Sequence, residues 1–97
     1  MIIAEFSITP IGTKTTSVGN YVQAALKELE KQGGIRAKPE AMGTVIEAEN
    51  LGDLFHAVEQ AHNALFDLGL TRVVTEIRID DRRDKEATIE SKIAALR

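Results

Sequence analysis

Ninety-seven residues, 43% of them hydrophobic, make one globular domain spanning 1–97, which at this size buries roughly 60–70% of its unfolded-chain surface. A net charge of −3 argues against a face built for phosphate backbones, so no nucleic acid partner is expected, and the absence of cysteine removes disulfides, thiolate metal ligands and thiol nucleophiles. Glu5 interrupts the apolar start, and no apolar run approaches the ~20 residues of a membrane span, so the expectation is a cytoplasmic chain with no membrane partner.

Ile2 to Ile11, closed by Gly12, alternates: Ile2, Ala4, Phe6 and Ile8 are apolar, while Glu5, Ser7 and Thr9 follow Ile3 on the other face. That two-residue period is a strand covered on one side. The loop Gly12 to Ser17 offers hydroxyls, and Thr16 or Ser17 is the expected cap of a helix. In that helix Val18, Val22, Ala25, Leu26 and Leu29 recur at helical spacing, and Gly33-Gly34 stops it. Ile35–Pro39 and Met42–Glu49 read as a hairpin, the first strand at a sheet edge because proline removes a ladder donor.

Asn50 with Asp53 three residues on marks the next helix start, and Leu51, Leu54, Val58, Ala61, Leu65 and Leu68 its buried stripe, up to Gly69. Arg72–Asp80 alternates again as a fourth strand. A charged turn follows in which Asp84 is positioned to cap a last helix with a thin stripe of Ile89, Ile93 and Leu96, a pattern suited to lying across a neighbour. Phe6, Phe55 and Phe66 fall at expected core positions.

The order strand, helix, strand, strand, helix, strand predicts an α+β, ferredoxin-like βαββαβ sandwich: a four-stranded antiparallel sheet, both helices on one face, plus a C-terminal helix. Strands one and three would be central. The second face would stay open and carry Ile3, Glu5, Ser7, Thr9, Arg36, Lys38, Val45, Glu47, Val74, Glu76 and Arg78.

Few groups on this frame carry chemistry. His56 and His62 are six apart on one helix and turn away from each other, so no metal site is expected and each reads as a surface or partly packed histidine. Pro10 to Ser17 is at most a weak anion site of backbone and hydroxyl donors, and a capped turn is the simpler reading. No Ser/His/Asp arrangement can be drawn. Glu5 and Glu47 on adjacent central strands are either an acid/base pair, a hold for a cationic ligand, or carboxylates neutralised by Arg36, Lys38 and Arg78 in an ordinary interface network, and the last reading has the simpler chemistry. Tyr21 is the polar aromatic placed to stack on a ligand or to pack.

The segments Ser7-Ile-Thr-Pro-Ile-Gly12, Ser17-Val-Gly-Asn-Tyr-Val22, Met42-Gly-Thr-Val-Ile-Glu47 and Arg72 to Asp84, in this order, resemble the small thiamine-binding protein family related to the YkoF protein, over nearly the whole chain. The resemblance implies a non-catalytic protein that binds thiamine or its hydroxymethylpyrimidine part and needs no cofactor. It also implies dimers and tetramers formed through the sheets. Ser7, Ser17, Tyr21, Thr44 and Glu47 match the family's motif positions as ligand residues, with Glu47 foremost, and Arg82 and Asp84 match its charged turn; Glu76 departs from the pattern, where a smaller polar residue is the family's habit. A homotetramer built as a dimer of dimers, with ligand sites at or near subunit contacts, is the expected assembly. The competing readings are a small enzyme using Glu5 and Glu47, and a purely structural or regulatory oligomer.

Overall fold

The computed structural model describes all residues, Met1 to Arg97. Its elements are β1 (Ile2–Ile11), α1 (Gly19–Glu30), β2 (Ile35–Pro39), β3 (Thr44–Ala48), α2 (Leu51–Asp67), β4 (Arg72–Asp80) and α3 (Ile89–Ala94). The four strands form one antiparallel sheet in the order β2-β3-β1-β4, the ferredoxin-like arrangement, with β1 and β3 central. Ile3 lies opposite Glu47 and Asp80, and Glu5 opposite Val45 and Arg78, so the alternation in β1 sets one face of the whole sheet.

The other face, with Ile2, Ala4, Phe6, Ile46 and Ala48, packs on Ala25 and Leu29 of α1 and on Leu54, Ala57, Ala61 and Leu65 of α2 to form the core. Small alanines at the helix contacts let both helices approach the sheet, and Phe6, Leu29, Ile46, Leu54 and Leu65 fill the space between them. Asn50 caps α2 as its sequence indicates, its Oδ1 accepting the Asp53 N–H at 2.8 Å.

Four local expectations are corrected. Helix α1 has no side-chain cap: it starts at Gly19, so Val18, which carries no side-chain acceptor, holds the cap position in place of Thr16 or Ser17, and in the loop before it Thr13 donates to the Thr15 carbonyl at 2.7 Å and Thr15 to that of Ser17 at 2.9 Å. Phe55 and Phe66 are 51% and 39% exposed, since their positions on α2 point past the sheet toward its β4 side, and Leu68 leaves the stripe where the helix ends. The cap of α3 is Thr88, in a reciprocal capping box with Ser91. Asp84 instead takes both its oxygens to Arg82, at 2.6 and 2.9 Å.

The open face is also less open than the strand pattern alone indicates. Residues 81–94 leave β4 and cross it toward β2, burying Ala87 and Ile89 along with Ile3, outside the main core. The thin stripe of α3 therefore docks on its own sheet through Ile89, while Ile93 and Leu96 stay exposed.

Candidate ligand-binding site

β1 is twice as long as β3, ten residues against five, and this mismatch leaves a cavity beside its far half. Ile2 to Phe6 pair with β3, whereas from Ser7 onward β1 pairs only with β4. The β2-β3 hairpin turns back at that point, the Glu40 N–H donating to the Gly43 carbonyl at 2.7 Å. A hollow of about 310 Å³ remains between the free flank of β1, the hairpin loop and the Val22–Leu26 side of α1. Its walls are Phe6, Ile8, Val22, Leu26, Pro39 and Met42, with the polar groups of Ser7, Thr44 and Glu40 among them. Gly43 eases the close approach: a Cβ there would lie 3.1 Å from the Phe6 carbonyl oxygen, tighter than an ordinary contact with backbone.

Apolar walls, a few hydroxyls and unpaired strand backbone suit a flat heteroaromatic ring, and the Glu40 carboxylate, which meets Lys38 only at 3.9 Å, is available to a cationic or amino-bearing edge. Of the five residues singled out in the sequence, only Ser7 and Thr44 share this cavity. Ser17 and Tyr21 line a separate, more polar hollow of about 470 Å³ together with the Thr13–Thr15 loop and the turn Leu68–Leu70. Tyr21 also packs partly against the core. The hairpin residues Pro39 to Gly43 escaped the sequence reading as site residues, although the Met42-Gly43 pair within a quoted motif was the available signal.

Glu47 is in a third place. It is 4% exposed on the covered part of the open face, where one carboxylate oxygen accepts the Ile89 N–H at 2.6 Å and lies 3.3 Å from Arg36 Nη1. Arg36 reaches on to Glu90 at 2.7 Å, Lys92 pairs with Asp80 at 2.5 Å, and the N-terminal amine of Met1 meets Glu86. These contacts fasten residues 81–94 to the sheet. Glu5, in contrast, is exposed and 3.9 Å from Arg78, and it is a diagonal rather than a direct neighbour of Glu47. Arg36 and Arg78 thus pair with the two glutamates as the neutralising alternative requires, while Lys38 turns to Glu40.

The hydrogen bond from Arg36 holds the Glu90 carboxyl below its ordinary value of 4.5, and in the turn Arg83 and Arg82 likewise hold down Asp81 and Asp84. A carboxyl whose folded pKa is depressed contributes stability above its unfolded pKa and loses it as the pH falls through the folded value. Acidification below the ordinary value of 4.5 should therefore loosen the C-terminal segment before the core, read as a fall in the hydrogen-exchange protection factor of the Ile89 amide while those of β1 hold. The effect should be small and salt-sensitive, because the pairs are exposed; equal loss in both places would overturn it.

Comparisons with known proteins agree with this frame. The UPF0045 protein YqgV of Bacillus subtilis is 48% identical over 99 residues, covering 99% of this chain and 94% of its own. The solved structure of a hypothetical protein from Methanocaldococcus jannaschii matches with a TM-score of 0.89 at 39% identity, over 98% of this chain and 94% of that one. A protein of Thermotoga maritima, whose name proposes a role in thiamine biosynthesis or salvage, shares the fold at a TM-score of 0.78 and 18% identity, over 99% of this chain and 98% of its own. The family model described as thiamine-binding protein matches residues 4–97, which take in all but the first two residues of β1 and every later strand and helix, and the chain belongs to that family.

Proposed function

We propose that this chain is a cytoplasmic, non-catalytic binding protein for thiamine or its hydroxymethylpyrimidine part, and that the ligand's ring occupies the cavity between β1, the hairpin loop and α1. The observation that carries this reading is the cavity itself: apolar walls, the hydroxyls of Ser7 and Thr44, and Glu40 at the rim, in a chain of the thiamine-binding family. Glu40 would face the aminopyrimidine or thiazolium edge, and the free flank of β1 offers backbone groups to the ring nitrogens. No reaction is part of this reading, because the one buried carboxylate, Glu47, is closed off by Ile89 and Arg36.

The same proposal includes a homotetramer, a dimer of dimers, with the cavities beside subunit contacts. Val45 and Val74 on the uncovered part of the open face, and Ile93 and Leu96 on α3, favour it, because a chain of this size gains by covering such groups.

Titration calorimetry with thiamine and with hydroxymethylpyrimidine tests the ligand. Saturable heat with one of them is the expected result, and Val22→Phe, which fills the cavity from α1, should weaken binding about tenfold or more while the melting temperature stays within a few degrees. No heat with either compound at millimolar concentration sinks the ligand assignment, and unaltered affinity of Val22→Phe moves the ligand out of this cavity.

A further inference from the structure

None of the eleven residues that line the cavity between β1, the hairpin loop and α1 is a lysine, arginine or histidine, and the one charged group among them is Glu40. Lys38 meets that carboxylate at 3.9 Å, with both side chains half exposed. It stands opposite Val45 on the face of the sheet away from the helices, whereas Val22 and Leu26 of α1 wall the cavity on the helix side. One ammonium shared with Glu40 therefore gives the rim no net positive charge.

Other cations are engaged elsewhere. Arg36 meets Glu47 and Glu90, Arg78 meets Glu5, Arg82 meets Asp84 and Arg83 meets Asp81. The more polar hollow by Tyr21 does hold Lys14, but the Thr13 and Thr15 hydroxyls there donate to carbonyls of their own loop, and no residue lines both hollows. The backbone offers no substitute for a cation. Along the free flank of β1 the N–H groups come one at a time, at every second residue as in any strand, and not as the converging set that cradles a phosphate.

A phosphate ester carries about −1.5 to −2 charges at neutral pH and binds where guanidinium, ammonium or convergent N–H groups meet it. Among apolar walls without those groups it loses hydration that nothing replaces, and at the rim it meets a like charge. A thiazolium cation or a neutral aminopyrimidine incurs neither cost. We propose that Glu40 makes this cavity selective for the unphosphorylated form of its ligand: it takes a cationic or neutral heteroaromatic alcohol and disfavours the phosphate ester of the same alcohol. This inference rests on the ligand reading above and adds to it the form that is bound and the residue that discriminates. It also gives the protein a place in a reaction sequence, because the compound it holds stands before phosphoryl transfer to its hydroxyl or after hydrolysis of its ester.

Titration calorimetry of the intact chain at low ionic strength, with thiamine, thiamine monophosphate, hydroxymethylpyrimidine and its monophosphate, reads the selectivity directly. Each free alcohol should bind at least about tenfold more tightly than its ester, and added salt should narrow the gap because the charge at the rim is exposed. Glu40→Gln should lower the ratio for both pairs, and Glu40→Lys should lower it further or reverse it. Both changes should weaken thiamine more than hydroxymethylpyrimidine, since only thiamine carries a fixed positive charge. Glu40 is exposed in the hairpin loop and its turn bond to Gly43 is made by backbone, so both variants should melt within a few degrees of the parent. Absence of heat with all four compounds removes the ligand reading and this inference with it. An ester that binds within about tenfold of its alcohol, or more tightly, overturns the selectivity and leaves the cavity as a ligand site. A large ratio that Glu40→Lys does not move overturns Glu40 as its cause.

Discussion

Replacing Phe6 with alanine is expected to cost about 3–5 kcal/mol of folding stability, the range for deleting a large aromatic group from a packed interior. Phe6 is 2% exposed at the centre of β1, opposite Thr44 on β3 and Ile77 on β4, so its ring lies where both central strands and the helix layer meet. Neighbours on the sheet are held by their own ladders and cannot collapse into the space, which puts the loss toward the upper end. A domain of this kind has in total about 5–15 kcal/mol, so the variant would be marginal at 37 °C. Urea unfolding followed by circular dichroism measures it, and a loss under about 1 kcal/mol would contradict the packing described. Phe6→Leu, which keeps most of the volume, should cost roughly 1–1.5 kcal/mol, and because Phe6 also walls the cavity it should change ligand affinity more than its stability cost alone explains.

The second large effect is expected at Glu47. The carboxylate accepts the Ile89 N–H at 2.6 Å and faces Arg36 at 3.3 Å while almost fully buried, so Glu47→Ala deletes a charged hydrogen bond and leaves a buried donor without a partner. A loss of about 2–3 kcal/mol follows from the usual magnitude of such bonds. Glu47→Gln retains an acceptor for Ile89 and turns an amide toward Arg36, and should lose about half as much. The loss should be local in origin: Ala87 and Ile89 leave the sheet, and trypsin should cut at Arg82, Arg83 and Lys85 much faster in the alanine variant than in the parent chain, with the β1–β4 ladder still protected. Cleavage at the parent rate would show that the segment is held by its apolar contacts instead. Loss of ligand binding with unchanged proteolysis would return Glu47 to the role that the family motif implies.

Both results turn on how differently two kinds of information were legible in the chain. Period-two alternation in Ile2–Ile11 and Arg72–Asp80, and the Asn50 cap with its leucine stripe, are local patterns, and each sets which side chains share a face wherever the element is placed. With short connections, that order leaves few topologies, and the observed sheet with its register is the ferredoxin-like one. The open-face set from Ile3 to Arg78 follows from parity alone, which is why the sequence carries it.

Other features depended on distances between residues far apart in the chain, and no local pattern encodes those. Phe55 and Phe66 have the hydrophobicity of core residues, but the rotation of α2 against β4 decided that they overhang the edge. Glu47 reads as an exposed strand carboxylate until residues 81–94 fold back over it from 42 positions away, and only then is it a buried anchor. The cavity owes its existence to the unequal lengths of β1 and β3 and to where the hairpin turns, so Ser7 and Thr44 came together while Ser17, Tyr21 and Glu47 did not. The sequence by itself determined the elements, their faces and the order of the sheet, because periodicity and capping act within a few residues; the tertiary structure decided which polar groups converge, because convergence is set by the packing of whole elements.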